Sequence, residues 1–242
     1  MKYLALTILI LLGAASTICM AQTPAPGSTP PPVPPPGRLL NRAPDFSQWT
    51  VSYKTSVPDK PNPGEKVPVD SGDSVTVVTK TKPVYHVQRL NGAGRRIDQW
   101  AEGGVQVVIL PNAQLPLVSA PGGESYGINF TRSDFPDVAW VSRKNFADIK
   151  NVMGFDCLIF RDKVRPIMEG ARGVGEVIPT LDAEAGIDIK SRLPIYLRLG
   201  DSMTTYVYGT APSSPLVPPA NIASLIQQWS ATLDLASKVP PP

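Results

Sequence analysis

The stretch GIDIKSRLPIYLRLGDSMTTYVY, residues 186–208, decides the fold. Gly186-Ile-Asp-Ile-Lys190 alternates apolar with polar residues. Ser191-Arg-Leu-Pro194 supplies a turn, Ile195-Tyr-Leu-Arg-Leu199 alternates again, and Gly200-Asp201 turns the chain into Met203–Tyr208. A period of two, broken by Gly, Pro and Asp, predicts successive antiparallel strands and excludes helices here.

Working outward, the same pattern recurs. Trp49-Thr-Val-Ser-Tyr-Lys-Thr55 puts Trp49, Val51 and Tyr53 on one face of a half-buried strand. Ser74 to Thr81 alternates around Val75 and Val77, and Pro83 demands an edge or a bend. Val84 to Leu90 continues extended. Asn91-Gly92-Ala93-Gly94 supplies hairpin turn chemistry and leads into Arg95–Ala101; Gly103-Gly104 then lead into Val105–Leu110. Strands joined by short turns make a meander.

Residues 111–136 read as irregular, and Asp137–Val141 as a short strand centred on Trp140. Residues 142–153 fit either a short helix capped by Ser142 or a loop and a strand. Phe155–Arg161 is apolar on both sides, as in a strand covered on both faces. Near the end, Ile222, Leu225, Ile226, Trp229, Leu233 and Ala236 form one helical stripe, predicting an amphipathic helix from an Asn221 cap to about Ser237. Its polar side carries almost no Lys or Arg, which favours packing on a sheet over lying on a membrane.

The fold class expected is therefore mainly β: an antiparallel meander forming a curved sheet or half-barrel, with a carboxy-terminal helix packed on it. Composition agrees. Of 242 residues, 28 are proline and 19 glycine, while 42% are apolar, so a core is affordable but a mostly helical chain is not. One histidine and two cysteines exclude zinc fingers and disulfide scaffolds. A net charge of +3 makes no case for nucleic acid.

The organisation reads in four parts. Residues 1–21 have the Lys2, apolar Leu4–Ala15 and small-residue pattern of a secretory signal peptide. Residues 22–44 form a proline-rich disordered linker, of which 22–37 is expected to be extended as polyproline II. Residues 45–237 form one β-rich domain, and 238–242 a proline-rich tail. No membrane-spanning segment is expected after signal cleavage, and export to the periplasm or outer envelope follows. Cys19 lacks a small residue before it, which disfavours lipidation. Cys157, in an apolar run, reads as a small core residue.

No catalytic or metal-binding constellation emerges. His86 sits alone in a strand, and no nucleophile elbow or phosphate loop is present. The string 170–175 lacks the lysine of a phosphate loop. Carboxylate pairs such as Asp182 with Glu184, and Asp134 with Asp137, are of a kind common on solvated loops. No cofactor is expected. The candidate ligand contacts are Trp49, Tyr53, Trp100, Trp140 and Trp229, as the lining of an apolar groove that a partly covered sheet would leave; an ordinary aromatic core is the competing account.

The order of these features resembles the outer-membrane lipoprotein-carrier superfamily, the LolA/LolB and RseB-like half-barrels. The likeness rests on Trp49-x-Val-x-Tyr53, on Gly186-Ile-Asp-Ile-Lys-Ser-Arg-Leu-Pro194 and the strand pair after it, and on Tyr206-x-Tyr208. It spans residues 45–210. The resemblance implies non-enzymatic binding of the acyl chains of a lipid or lipoprotein. The chain departs from the family where residues 57–72 are proline-rich and no early lid helix is seen, and no family binding residue carries over. The rival expectations are a carboxylate-dependent envelope hydrolase and a module whose envelope protein partner docks on a strand edge.

Overall fold

The computed structural model describes residues 33–55, 73–91, 94–121, 127–165 and 180–238, all within one unit, Pro32–Pro242. Eleven strands are seen: β1 (Phe46–Thr55), β2 (Ser74–Thr81), β3 (Val84–Leu90), β4 (Arg96–Glu102), β5 (Val105–Ile109), β6 (Leu117–Ser119), β7 (Phe146–Val152), β8 (Phe155–Val164), β9 (Leu181–Asp188), β10 (Pro194–Leu199) and β11 (Ser202–Tyr208). One helix, α1 (Ala220–Ser237), follows them.

All strands join a single open, curved antiparallel sheet in the order β6-β5-β4-β3-β2-β1-β11-β10-β9-β8-β7. Two meanders thus meet where β1 pairs with β11, Trp49 opposite Tyr208 and Val51 opposite Tyr206. Their outer strands, β6 and β7, are consecutive in the chain yet lie at opposite edges. The connection between them must cross the sheet. Ten strand spacings of ~4.8 Å make a width of ~48 Å, well within the reach of residues 120–145 at ~3.3 Å each.

That crossing segment covers what we term the inner face. It contributes Phe130, Phe135 and Val138, all buried, against Trp49, Val78, Tyr85, Val87, Ala101, Leu197 and Tyr206. Phe135 meets Trp49 with ring centroids 5.4 Å apart, and Phe130 stacks on Tyr85 at 4.5 Å. Residues 39–44, within the stretch 22–44 that the sequence assigns to a linker, lie on the same face: Ala43 is buried and Leu39 and Leu40 pack into its core. The opposite, outer face is covered at one end by α1, whose Ile222 and Ile226 bury Val84, Trp100, Val105 and Val107.

The crossing segment is held by polar contacts. Asp134, its side chain fully buried, accepts hydrogen bonds from Ala43 N–H (2.8 Å), Lys80 Nζ (3.0 Å) and the Tyr85 hydroxyl (2.7 Å). Lys80 also donates to the Ala43 carbonyl at 2.7 Å. Gln99 on β4 clamps residue 128 in both directions, donating to its carbonyl (2.7 Å) and accepting from its N–H (2.9 Å).

Three local expectations are corrected and one left open is resolved. Asp137–Val141 is not a strand: Pro136–Val138 is a 3-10 turn, because Pro136 presets the first helical φ and lacks a ladder N–H. Residues 142–153 resolve as turn and strand, with Asn145 bonding Ser142 N–H at 2.9 Å and β7 following. In β2 the buried set is Thr76, Val78 and Lys80, while Val75 is exposed. Asn221 lies inside the first turn of α1, whose first N–H groups, of Ile222 and Ala223, bond the Pro219 carbonyl. The string 170–175 lies outside the described residues.

Replacing Asp134 by Ala leaves the buried Lys80 ammonium with only the exposed Asp45 carboxylate, 3.9 Å away, as an ionic partner. The expected loss is about 3–5 kcal/mol in urea unfolding. A paired apolar replacement, Lys80→Met with Asp134→Leu, is expected to cost less than either single change.

Candidate functional site

The five aromatic residues singled out in the sequence do not form one cluster. Trp49 is fully buried on the inner face beneath Phe135. Tyr53 lies on the same face two pairs further along β1, partly exposed, bonded through its hydroxyl to Ser202 at 2.9 Å. Trp140 sits on the crossing segment and packs against the core that contains Trp49. These three share one side of the molecule. Trp100 points to the outer face under α1, stacked on His86 at 4.1 Å. Trp229 is on α1 itself, 39% exposed.

What the sequence did not indicate is the boundary between the inner face and the crossing segment. Four polar atoms there are buried without a hydrogen-bond partner among the described residues: Tyr206 Oη, Trp140 Nε1, Gln106 Oε1 and, opposite Gln106, Ser119 Oγ. An unpaired buried polar group costs about 1–3 kcal/mol. A gap of about 50 Å³ opens in it, lined by Tyr85, Ala101 and Gln106 from the sheet and by Phe130 and Thr131 from the crossing segment. The lysine at 80 was the available signal, a charge alternating with Val78 on one strand face.

The tyrosines of this face are held protonated. Burial, a hydrogen bond to Asp134 and its negative charge push the Tyr85 hydroxyl far above its usual range. Burial is the leading cause for Tyr206 and Tyr208 as well, with Asp137 adding to it at Tyr206 and Asp188 at Tyr208. Across the sheet, burial and a hydrogen bond to Glu184 do the same to Tyr196. Tyr196 covers Gly186, where a Cβ would collide with its ring; a glycine inside a strand marks such a close approach.

The outer face carries the larger hollow, an open groove of about 520 Å³ lined by Arg161, Asp162, Lys163, Asp182, Ala183, Glu184, Arg198 and Gly200. Its charges pair with one another: Arg161 Nε donates to Glu184 at 2.7 Å, and Lys163 lies 3.7 Å from Asp182. Burial tends to raise the Glu184 carboxyl, but bonds from Arg161 and Tyr196 outweigh it and hold the group below the usual range. A general acid of a glycosidase needs the reverse. Cys157 is fully buried, and burial raises its thiol to about 11. Among the described residues no group of three His, Cys, Asp or Glu side chains is placed to hold a metal ion, and no helix is long and apolar enough to cross a membrane.

No family model matches the chain, and no curated protein is similar to it in sequence. Solved structures similar to it include the Mycobacterium tuberculosis lipoprotein LppX, at 10% identity over 72% of this chain and 90% of that one, with a TM-score of 0.35. The Pseudomonas aeruginosa MucA/MucB complex matches at 15% identity over 70% and 55%, TM-score 0.34. A LolA-superfamily protein of Nitrosomonas europaea matches at 11% identity over 75% and 91%, TM-score 0.32.

Four buried tyrosines with raised values give a signed pH dependence. The folded state keeps protons that the unfolded chain releases near pH 10. Stability is therefore complete below about pH 10 and falls as pH rises beyond it. We expect the urea midpoint to drop steeply above about pH 10, with Tyr85, Tyr196, Tyr206 and Tyr208 ionising only on unfolding, as read by tyrosinate absorbance. A midpoint flat through that range would contradict the burial of these hydroxyls.

Proposed function

We propose that the protein is exported to the cell envelope and there holds an apolar ligand, a lipid or the acyl part of a lipoprotein, without catalysing a reaction. The ligand would lie on the inner face, under the crossing segment, with Trp49, Tyr53 and Trp140 beside it. The observation that carries this reading is the character of that boundary. The sheet side is aromatic and apolar across both meanders. Among its described residues the covering segment has two 3-10 turns as its regular structure. The two are joined by a buried network at Asp134 and by the Gln99 clamp, leaving four buried polar atoms of the described residues unpaired. A layer that fills a hydrophobic face without joining its ladder is displaceable by another apolar occupant of similar shape.

Export rests on the signal-like residues 1–21, and display away from a surface on the prolines that follow. The hydrolase reading is weakened by Glu184, held deprotonated by Arg161 and Tyr196.

Titration with a fluorescent fatty acid or lipopeptide tests the proposal. Saturable binding is expected, displaced by the unlabelled compound and accompanied by a change in tryptophan emission. Trp140→Phe should remove most of that emission change, whereas Trp229→Phe should retain it. The absence of saturable binding removes the lipid-carrier function.

A further inference from the structure

Strand β7 ends the sheet, and among the described residues nothing pairs with its outer side. Its ladder with β8 sets Val152 opposite Phe155, Lys150 opposite Cys157 and Asp148 opposite Ile159. Met153 and Gly154 form the intervening two-residue turn, with φ of 53° and 83°. A turn of that kind is closed by a hydrogen-bonded pair, here Val152 with Phe155. Bonded and non-bonded pairs then alternate, so Lys150 and Asp148 bond inward while Ile149 and Asn151 aim their N–H and C=O outward. One contact bears this out directly: the Ile149 N–H is held by Asp148 Oδ1 at 2.8 Å rather than by β8. Ile149 is also half exposed.

We propose that this edge pairs antiparallel with the same edge of a second copy of the chain, about a two-fold axis at Ile149. A two-fold axis makes the contact isologous and closes it at two copies. In this register Ile149 faces Ile149, and their outward groups exchange both hydrogen bonds. Asp148 faces Lys150 of the other copy, twice. The bulge between Phe146 and Asp148 ends the regular edge on that side, so the paired stretch is centred on Asp148–Lys150. Shifting the axis by one residue puts Asp148 opposite Asp148 or Lys150 opposite Lys150, and like charges directly opposite are destabilising. The charge order of the strand therefore selects one register and one partner. In the single chain the same two side chains lie 3.7 Å apart, each half exposed. There Asp148 guards the outward N–H, the usual device against indiscriminate edge pairing. On pairing, that carboxylate moves to the partner lysine and frees the N–H for the new strand.

A seven-residue edge makes a small contact, in the weak class of interfaces. Sedimentation equilibrium on the protein in the form its cell exports should show a reversible dimer with Kd roughly between 1 µM and 1 mM. Asp148→Lys and Lys150→Asp each convert two attractive pairs into two repulsive ones, and each should weaken association about tenfold or more. An equimolar mixture of the two variants should associate as well as the original chain, since every introduced charge then meets its opposite. Ile149→Pro removes the outward donor without touching the β8 ladder and should give a monomer of unchanged circular dichroism. The proposal is overturned by a chain that stays monomeric to about 1 mM, by charge variants that dimerise like the original, or by a mixture that fails to recover association.

Discussion

The buried carboxylate of Asp134 ties three parts of the chain that no ladder joins. It belongs to the crossing segment, it receives a backbone N–H from residue 43, and it receives Lys80 and Tyr85 from two neighbouring strands. Desolvating an aspartate and a lysine is costly, and their attraction repays that cost only when the remaining hydrogen-bonding capacity is used. Here it is used: Asp134 accepts three bonds and Lys80 spends a second proton on the Ala43 carbonyl. An apolar substitute would have less directional demand. The ionic network fixes where the segment lies, in one register over the sheet, which greasy contacts alone would leave degenerate.

The need for such a fixing point follows from topology. Two meanders joined at their middle strands place the consecutive strands β6 and β7 at opposite edges. The chain between them has to run across the whole inner face, and it does so with little regular structure to stiffen it. The side chains it drops on the way, Phe130, Phe135 and Val138, become the core of that face. The filling of the sheet and the route of its longest crossover are thus one feature. Any ligand taken up on this face competes with a piece of the same chain, and the strength of the Asp134 network sets how hard that competition is.

The strands were legible because alternation and turn residues reinforce each other: Trp49 to Tyr53, Arg96 to Ile109 and the run from Gly186 to Tyr208 fall where the pattern placed them. Legibility failed where local chemistry competes. Trp140 looked like the centre of a strand, yet Pro136 starts a 3-10 turn three residues before Ala139 ends it. The three residues of β6 lie between Pro116 and Pro121, too short to show a period. In β2, Val75 and Val77 suggested one buried face, but Val78 and Lys80 face the core, because the charge of Lys80 is met by a residue 54 positions away. Such partners are invisible in a linear reading. The five aromatic candidates likewise share a chemistry without sharing a place, since alternation assigns Trp49 to one face and register assigns Trp100 to the other.

The motif that carried the family likeness is accounted for entirely by folding. Asp188 accepts from the backbone and the hydroxyl of Ser191 at 2.7 and 2.6 Å, which builds the turn that Arg192, at φ of 60°, completes. Burial raises its carboxyl, but those bonds outweigh burial and hold it in the charged form that the turn requires. Gly186 leaves room for the Tyr196 ring, and the Tyr208 hydroxyl bonds the Pro194 carbonyl at 2.9 Å. Each residue of Gly-Ile-Asp-Ile-Lys-Ser-Arg-Leu-Pro that the geometry singles out joins β9 to β10 or seats them against a neighbour. In the proposed function the ligand would meet other residues than these, along the boundary guarded by Asp134 rather than in the turn at 188–194.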